Sequence, residues 1–354
     1  MSNFFKDLKV IELAGVLAGP GVGLFFAELG ARVLKVENKN VGGDATRTWR
    51  LKGETENGPS AYFSAVNYKK EYLFLDLTDA RERHDLLQEI ADADMVISNY
   101  SSRVAEKLGM DYPTLSKINK KLIYLQLDGF ANSARPAYDV VLQAETGWIS
   151  MTGHSENPSK LPVALIDVLA GHQLKEGALL AIIHRMKTGE GSLVECNLEQ
   201  ASLAALANQA TNYLMNNAVA EPIGTLHPNI APYGDWFATA DGKRIVLAVG
   251  SDKQFENLNM VLGLHLHIDE KFKTNPDRLR YRFDLRAALV PAIAKFNLAD
   301  LSQKLDGAGV PFGEIKKLDA VLESPAAQEM VRTEMQGGRE TKRLTGNAFK
   351  AGFL

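Results

Sequence analysis

Asp167 has the setting that most requires a chemical explanation. It lies in Pro162-Val163-Ala164-Leu165-Ile166-Asp167-Val168-Leu169-Ala170-Gly171, and burying a carboxylate in so apolar a run is costly unless it is paired or hydrogen-bonded. Two readings are open: a cap for the helix that follows, or a nucleophile toward an activated acyl group. They are compatible, because a helix N-terminus favours the ionised carboxylate that a nucleophile requires. Gly15, Gly19, Gly21 and Gly23 follow an apolar run and invite a dinucleotide reading. A fingerprint begun at Gly19 has Leu24 in place of its third glycine, and Glu37 stands where a ribose-binding acid would sit. The alternative is a tight turn into a helix whose first amides hold an anion. Asn67-Tyr68-Lys69-Lys70 precedes one strand-like run, while Asn99 and Tyr100, with Arg103 and Lys107, follow another. Their cations could grip a phosphorylated nucleotide; singly, each reads as surface. Tyr138-Asp139 reads as a core tyrosine with a turn or cap aspartate. Among the histidines, only His227, in Leu226-His227-Pro228-Asn229, has a suggestive setting. No Ser-His-Asp order or H-E-x-x-H stands out.

These residues need a scaffold, and 354 residues suffice for about two domains. The formal net charge of −3 has both signs interspersed, which offers no footprint for nucleic acid or anionic lipid. An anionic ligand must therefore be held by a local cluster. The single Cys196 excludes an intrachain disulfide, and no Cys/His spacing fits a metal site. With no long apolar run and no signal-like start, the expectation is a cytoplasmic protein without a membrane span.

Strand-like runs at Lys9–Leu13, Arg32–Glu37, Tyr72–Asp76, Met95–Ser98 and Leu122–Asp128 alternate with helical stretches at Val22–Leu29, Ala80–Ala91, Val104–Leu108 and Tyr112–Lys117. Such alternation predicts an α/β fold, a Rossmann-like parallel sheet covered by helices. A helix over Leu169–Lys187, a strand at Leu193–Asn197 and an Ala-rich helix over Leu198–Met215 extend this large domain, 1–220. Residues 221–234, rich in Pro and Gly, read as a linker. Residues 235–319 read as a smaller α/β domain with helices at Gln254–Leu262, Leu279–Phe296 and Leu298–Ala308. The tail, 320–354, with a helix near Ala326–Thr333, has no core of its own and should join the large domain.

In order, these segments resemble the family III CoA-transferases, also called CaiB/BaiF, over nearly the whole chain. The series includes Val10-Ile11-Glu12-Leu13, Leu17-Ala18-Gly19-Pro20, Leu29-Gly30-Ala31-Arg32-Val33-Leu34-Lys35-Val36-Glu37, Gly43-Asp44 and Asn67-Tyr68-Lys69-Lys70. It continues through Tyr138-Asp139, Gln143-Ala144, Asp167, Thr188-Gly189-Glu190-Gly191, His227-Pro228-Asn229-Ile230-Ala231-Pro232-Tyr233 and Gly309-Val310-Pro311-Phe312-Gly313.

The resemblance implies that Asp167 is the catalytic aspartate, carrying first an acyl group and then CoA. It implies that Val16, Leu17 and Ala18 flank the reacting thioester. Lys70, Asn99, Tyr100 and Lys107 match its CoA-contacting set, to which the neighbouring Arg103 is added. Trp49 and Tyr138 match aromatic positions of the site. Asn38 stands where many members carry an arginine facing the nucleotide, so Lys39 is an alternative. The shielding polyglycine loop of formyl-CoA transferases is absent; the His227 stretch replaces it and is the candidate lid. The implied substrates are an acyl-CoA and a carboxylic acid, with no tightly bound cofactor, and the implied assembly is an interlocked homodimer. Tyr138, where related racemases have histidine, favours transfer over racemisation, since a phenol matches neutral pH poorly. The rivals are an acyl-CoA racemase or epimerase on the same scaffold, an NAD-dependent oxidoreductase, and a CoA sensor without turnover.

Overall fold

Short apolar runs alternate with amphipathic ones along the chain, and in the computed structural model, which describes residues 3–353, they fold as alternating strands and helices. The order begins β1 (Lys9–Glu12), α1 (Ala18–Glu28), β2 (Arg32–Asn38), α2 (Ala61–Ser64), β3 (Glu71–Leu75) and α3 (Ala80–Ala91). It continues with β4 (Met95–Ser98), α4 (Ser102–Leu108), α5 (Tyr112–Ile118), β5 (Ile123–Asp128) and α6 (Asp139–Glu145). A small ladder, β6 (Gly153–His154) and β7 (Asn157–Pro158), precedes α7 (Leu165–Thr188), β8 (Ser192–Asn197), α8 (Leu198–Ala204) and α9 (Ala207–Asn216).

Six strands form one sheet in the order β3-β2-β1-β4-β5-β8, and every neighbouring pair is parallel. Both faces of the central strands β1, β4 and β5 are covered, which is why these read as nearly continuous apolar runs. On one face Val10, Val33, Ile97 and Leu125 pack with Val22 and Phe26 of α1 and Ile166, Ala170 and Leu174 of α7. On the other, Ile11, Leu34, Val96 and Tyr124 meet Leu86 and Ile90 of α3 and Leu115 of α5. The strand order reverses between β1 and β4, so the chain leaves these two strands in opposite directions. That opens a crevice beyond their carboxyl ends, where open α/β sheets bind ligands.

The sheet belongs to a unit of residues 1–150, 160–220 and 325–354; residues 151–159 and 221–324 form a second. The second unit contains β9 (Tyr233–Ala238), β10 (Arg244–Ala248), α10 (Asp252–Leu262), α11 (Asn275–Arg280), α12 (Arg282–Ile293), α13 (Leu298–Gly307), β11 (Phe312–Glu314) and α14 (Leu318–Leu322). Its antiparallel sheet runs β11-β10-β9, and Phe237, Ile245, Leu247, Phe255, Leu289 and Leu301 form its own core.

Three expected elements differ. The helix over Leu198–Met215 is two helices, α8 and α9, broken where Ala207 takes φ +45°. The helix over Leu279–Phe296 breaks at Tyr281. There the buried Arg278 guanidinium is tied to Ala231 O at 2.9 Å and to Asp252 at 2.6 Å, so long-range bonds set the end of α11. In the tail, α15 (Pro325–Met330) stops early and Val331–Thr333 opens a hairpin, β12 (Val331–Gln336) with β13 (Arg339–Leu344). Gly337 and Gly338, at φ +58° and +80°, form its two-residue turn, the backbone that hairpin twist demands. The hairpin docks on the α2 region: Gln336 donates to Asn67 O at 2.9 Å and Arg339 pairs with Glu54 at 3.1 Å. Among the described residues no helix is long and apolar enough to cross a membrane.

Candidate active site

The first feature is a buried ionic cluster at the carboxyl end of β1. Glu12 and Lys35 are register partners on β1 and β2, and neither is exposed. Lys35 Nζ donates to Glu12 Oε1 at 3.0 Å and to Ala14 O at 2.6 Å, and pairs with Asp44 Oδ2 at 3.1 Å. Lys70 Nζ reaches the same Glu12 at 2.7 Å, Pro20 O at 2.8 Å and Asn67 Oδ1 at 3.0 Å. Two acids and two lysines balance, as buried charges require. Burial opposes the charge of Lys35, but Glu12 and Asp44 overcome it and raise its pKa. For Lys70 burial wins, pushing the ammonium down to about 8 despite Glu12. Asp44 is likewise buried, yet Lys35 and the Thr46 donors hold its carboxyl below the ordinary value.

This cluster corrects two expectations. Lys70 does not reach the cleft, because its ammonium is buried against four acceptors of the protein. Gly19 and Gly23 serve close packing, which accounts for them without a dinucleotide. A Cβ on Gly23 would lie 1.9 Å from Glu12 Oε2, and one on Gly19 would lie 2.5 Å from the Ala14 Cβ. The helix expected from Val22 begins at Ala18, so Gly19, Gly21 and Gly23 lie in the first turns of α1, laid over the ion pair.

The chain between β1 and α1 borders the crevice. Asn99, just beyond β4, accepts from Gly15 N and donates to Gly15 O, both at 3.1 Å. Val16 takes φ +72° and donates its N–H to Asp44 Oδ2 at 3.1 Å. Its amide is therefore already used. The amides of Leu17, Ala18 and Gly19, at the start of α1, have no acceptor among the described residues, as a helix N-terminus dictates.

Facing this loop is a cleft of about 590 Å³, lined by residues 15–18, Asn99, Ser101, Ser102, residues 127–131 and 133–138, Asp167 and Leu198. Asp167 is only 7% exposed. It is the third residue of α7, and it does not cap that helix. Asp139 does so from α6: its Oδ2 accepts from Ile166 N at 2.7 Å and from Asp167 N at 3.3 Å. Gln143 holds the other Asp139 oxygen and accepts from Leu161 N at 2.8 Å. The Asp167 carboxylate itself accepts no hydrogen bond from the described residues. Burial, and then the negative charge of Asp139, push its carboxyl up to about 7. Asp139, not Asp167, therefore makes the capping bonds at that terminus, and Asp167 gains no hydrogen bond there that would favour its anion. Close approach of α1 and α7 completes the geometry: a Cβ on Gly171 would lie 3.0 Å from Ala18 O.

Trp49 packs edge-on against Tyr62, with centroids 5.2 Å apart, and lies 6.5 Å from Tyr138. Tyr62, which the sequence reading missed, has its hydroxyl pKa raised by burial first and then by Asp167. Arg103 and Lys107 are exposed on α4 with no ion-pair partner among the described residues. Asn38 instead accepts from Asn40 N and, with Tyr100, lines a separate slot of about 110 Å³. Lys39 is bonded to Glu82. His227 lies in the second unit, where its Nδ1 accepts from Asn229 N at 3.1 Å and its ring meets Tyr233 edge-on. No group of His, Cys, Asp and Glu among the described residues could hold a metal.

Comparison with known proteins matches residues 5–351 to CoA-transferase family III. A succinate–glutarate CoA-transferase of Agrobacterium fabrum is 36% identical over 91% of this chain and 82% of its own. A human succinyl-CoA:glutarate CoA-transferase is 31% identical over 90% and 73%. A CaiB/BaiF family protein from Brucella suis, 34% identical, superposes with a TM-score of 0.83 over 99% of this chain and 93% of its own.

Proposed function

The chain belongs to CoA-transferase family III, and from that premise we propose that it moves CoA from an acyl-CoA to a free carboxylic acid by way of Asp167. The observation that carries this reading is a buried carboxylate without hydrogen bonds, facing a cleft beside unpaired helix-terminal amides. Desolvation that raises its pKa also leaves the anion reactive once formed.

In the first step an Asp167 oxygen attacks the thioester carbonyl. The C–S bond breaks, giving an aspartyl–acyl anhydride and CoA thiolate. The thiolate then attacks the aspartyl carbonyl, releasing the donor acid and leaving CoA as a thioester on Asp167. An acceptor carboxylate attacks that thioester, regenerating an anhydride and the thiolate. Thiolate attack on the acceptor acyl carbonyl then frees the new acyl-CoA and the Asp167 carboxylate. Each tetrahedral oxyanion needs fixed donors, and the Leu17, Ala18 and Gly19 amides are suited to that task. Arg103 and Lys107, unpaired on α4 just beyond the crevice, suit the phosphates of CoA. Trp49, Tyr62 and Tyr138 form an aromatic wall for the acyl group. Relatives named for succinate, glutarate and oxalate direct the first substrate panel to dicarboxylic acids.

A second copy of this chain is the proposed partner. Leu180 and Met186 on α7, with Leu214 and Met215 on α9, are 68–81% exposed, large apolar side chains of the kind that a protein–protein contact would cover. Sedimentation of a dilute sample should give a dimer. The catalytic reading is tested by mass spectrometry of enzyme quenched with acyl-CoA and trapped with hydroxylamine. Modification of Asp167 is expected, and an unmodified Asp167 with every active donor would refute it.

A further inference from the structure

Val16 is a β-branched residue in the left-handed region, a conformation costing about 1–3 kcal/mol that persists only where its surroundings impose it. The imposing group is Asp44. Its Oδ1 accepts from Thr46 N at 2.9 Å and Thr46 Oγ1 at 2.7 Å, which leaves Oδ2 for Val16 N and Lys35 Nζ, each at 3.1 Å. The Asp44 backbone is itself fixed, its N–H donating to Glu37 Oε2 at 2.7 Å. Lys35 also grips Ala14 O, and Asn99 grips both polar groups of Gly15. Polar backbone atoms of residues 14–16 are thus taken by side chains from other elements, immediately before the unpaired amides of α1.

We infer that Asp44 is a positioning residue for CoA transfer: by holding Val16 left-handed it aims the following amides into the cleft beside Asp167. This rests on the aspartyl reading above. Asp44 touches no substrate; it acts through the loop, and the interaction it improves is one made with the transition-state oxyanion.

The test is Asp44→Asn, alone and combined with Val16→Gly. Asn keeps the shape and can still accept from Thr46, but loses the charge that holds Lys35 and Val16. Transition-state loss without ground-state loss should lower kcat by about tenfold or more, with KM for acyl-CoA changed less than about threefold. Glycine adopts positive φ without a clamp, so the double variant should recover kcat to within about threefold of Val16→Gly alone, a non-additivity that marks direct coupling. A merely structural Asp44 would lower Tm while leaving kcat intact well below the transition, or would give additive losses. Either result overturns the inference. Should Asp44→Asn alone not fold, comparing the double variant with Val16→Gly carries the same test, and a double variant that also fails to fold overturns it. Trapping at Asp167 in the wild type is measured alongside. Absence of that adduct removes the aspartyl reading, whereas an adduct with unimpaired Asp44→Asn kcat removes only the role of Asp44.

Discussion

Replacing Asp167 by Asn removes a charge that the fold holds at a cost, so the inactive variant should be the more stable protein. The carboxyl titrates at about 7 in the folded state against 3.8 ordinarily, because burial and then Asp139 disfavour its anion. For an acid with a raised pKa, the folded state binds more protons than the unfolded chain between those two values. Stability therefore falls as pH rises through that window, and the full penalty stands above it. The rise from 3.8 to about 7, at about 1.4 kcal/mol per pH unit, sets a ceiling of about 4 kcal/mol at pH 8. With about 2–4 °C per kcal/mol for units of this size, Asp167→Asn should raise Tm by several degrees at pH 8. Near pH 4, where the wild-type carboxyl is protonated in the fold, most of that gain should vanish. Thermal scans of both proteins at the two pH values provide the measurement. An equal Tm difference at both, or a wild type more stable at pH 8, would refute the reasoning that burial strains this carboxylate. Transfer activity of the stabilised variant should be lost, as expected where function maintains a locally unfavourable charge.

For the wild type, kcat/KM should rise with pH through about 7 and then level off, since only the anion attacks; a profile flat from about pH 5 to 9 would exclude Asp167 as the titrating nucleophile. Asp139→Asn removes the second cause of the raised pKa and should move that midpoint downward. Because Asn can still accept from the α7 amides, an unmoved midpoint would show that the charge of Asp139 does not act on Asp167. Lys70→Met leaves half of the Glu12 carboxylate uncompensated and should cost about 3–5 kcal/mol in urea unfolding. If that variant folds, its KM for acyl-CoA should stay within about threefold of wild type, as expected when no substrate interaction is removed; a large rise in KM would return Lys70 to the ligand.

The parallel α/β layers were legible because their signal is local. Strands buried on both faces must be apolar almost throughout, and the turn residues between them are few. Asp167 was legible for the converse reason, as a lone acid where apolar residues should be. The charges in Val10-Ile11-Glu12-Leu13 and Val33-Leu34-Lys35-Val36 sent the same signal from two adjacent strands. Pairing them required knowing that β1 and β2 are neighbours in register. Lys70 went astray for that reason: beside Asn67-Tyr68-Lys69 it reads as surface charge, and only the position of Glu12 reveals it as a counter-ion.

Residue types and their order were thus enough to indicate the chain's kind of fold and to single out Asp167 as a candidate nucleophile, since both are written in short-range contrast between apolar and polar residues. Which group caps α7, why Val16 is left-handed, and whether Asp167 is charged at neutral pH depend on Asp139 and Asp44, 28 residues away in each case. A hydrogen bond or a desolvation cost exists only when chain folding brings such groups within a few ångströms and removes the water between them. Those facts belong to the tertiary structure alone.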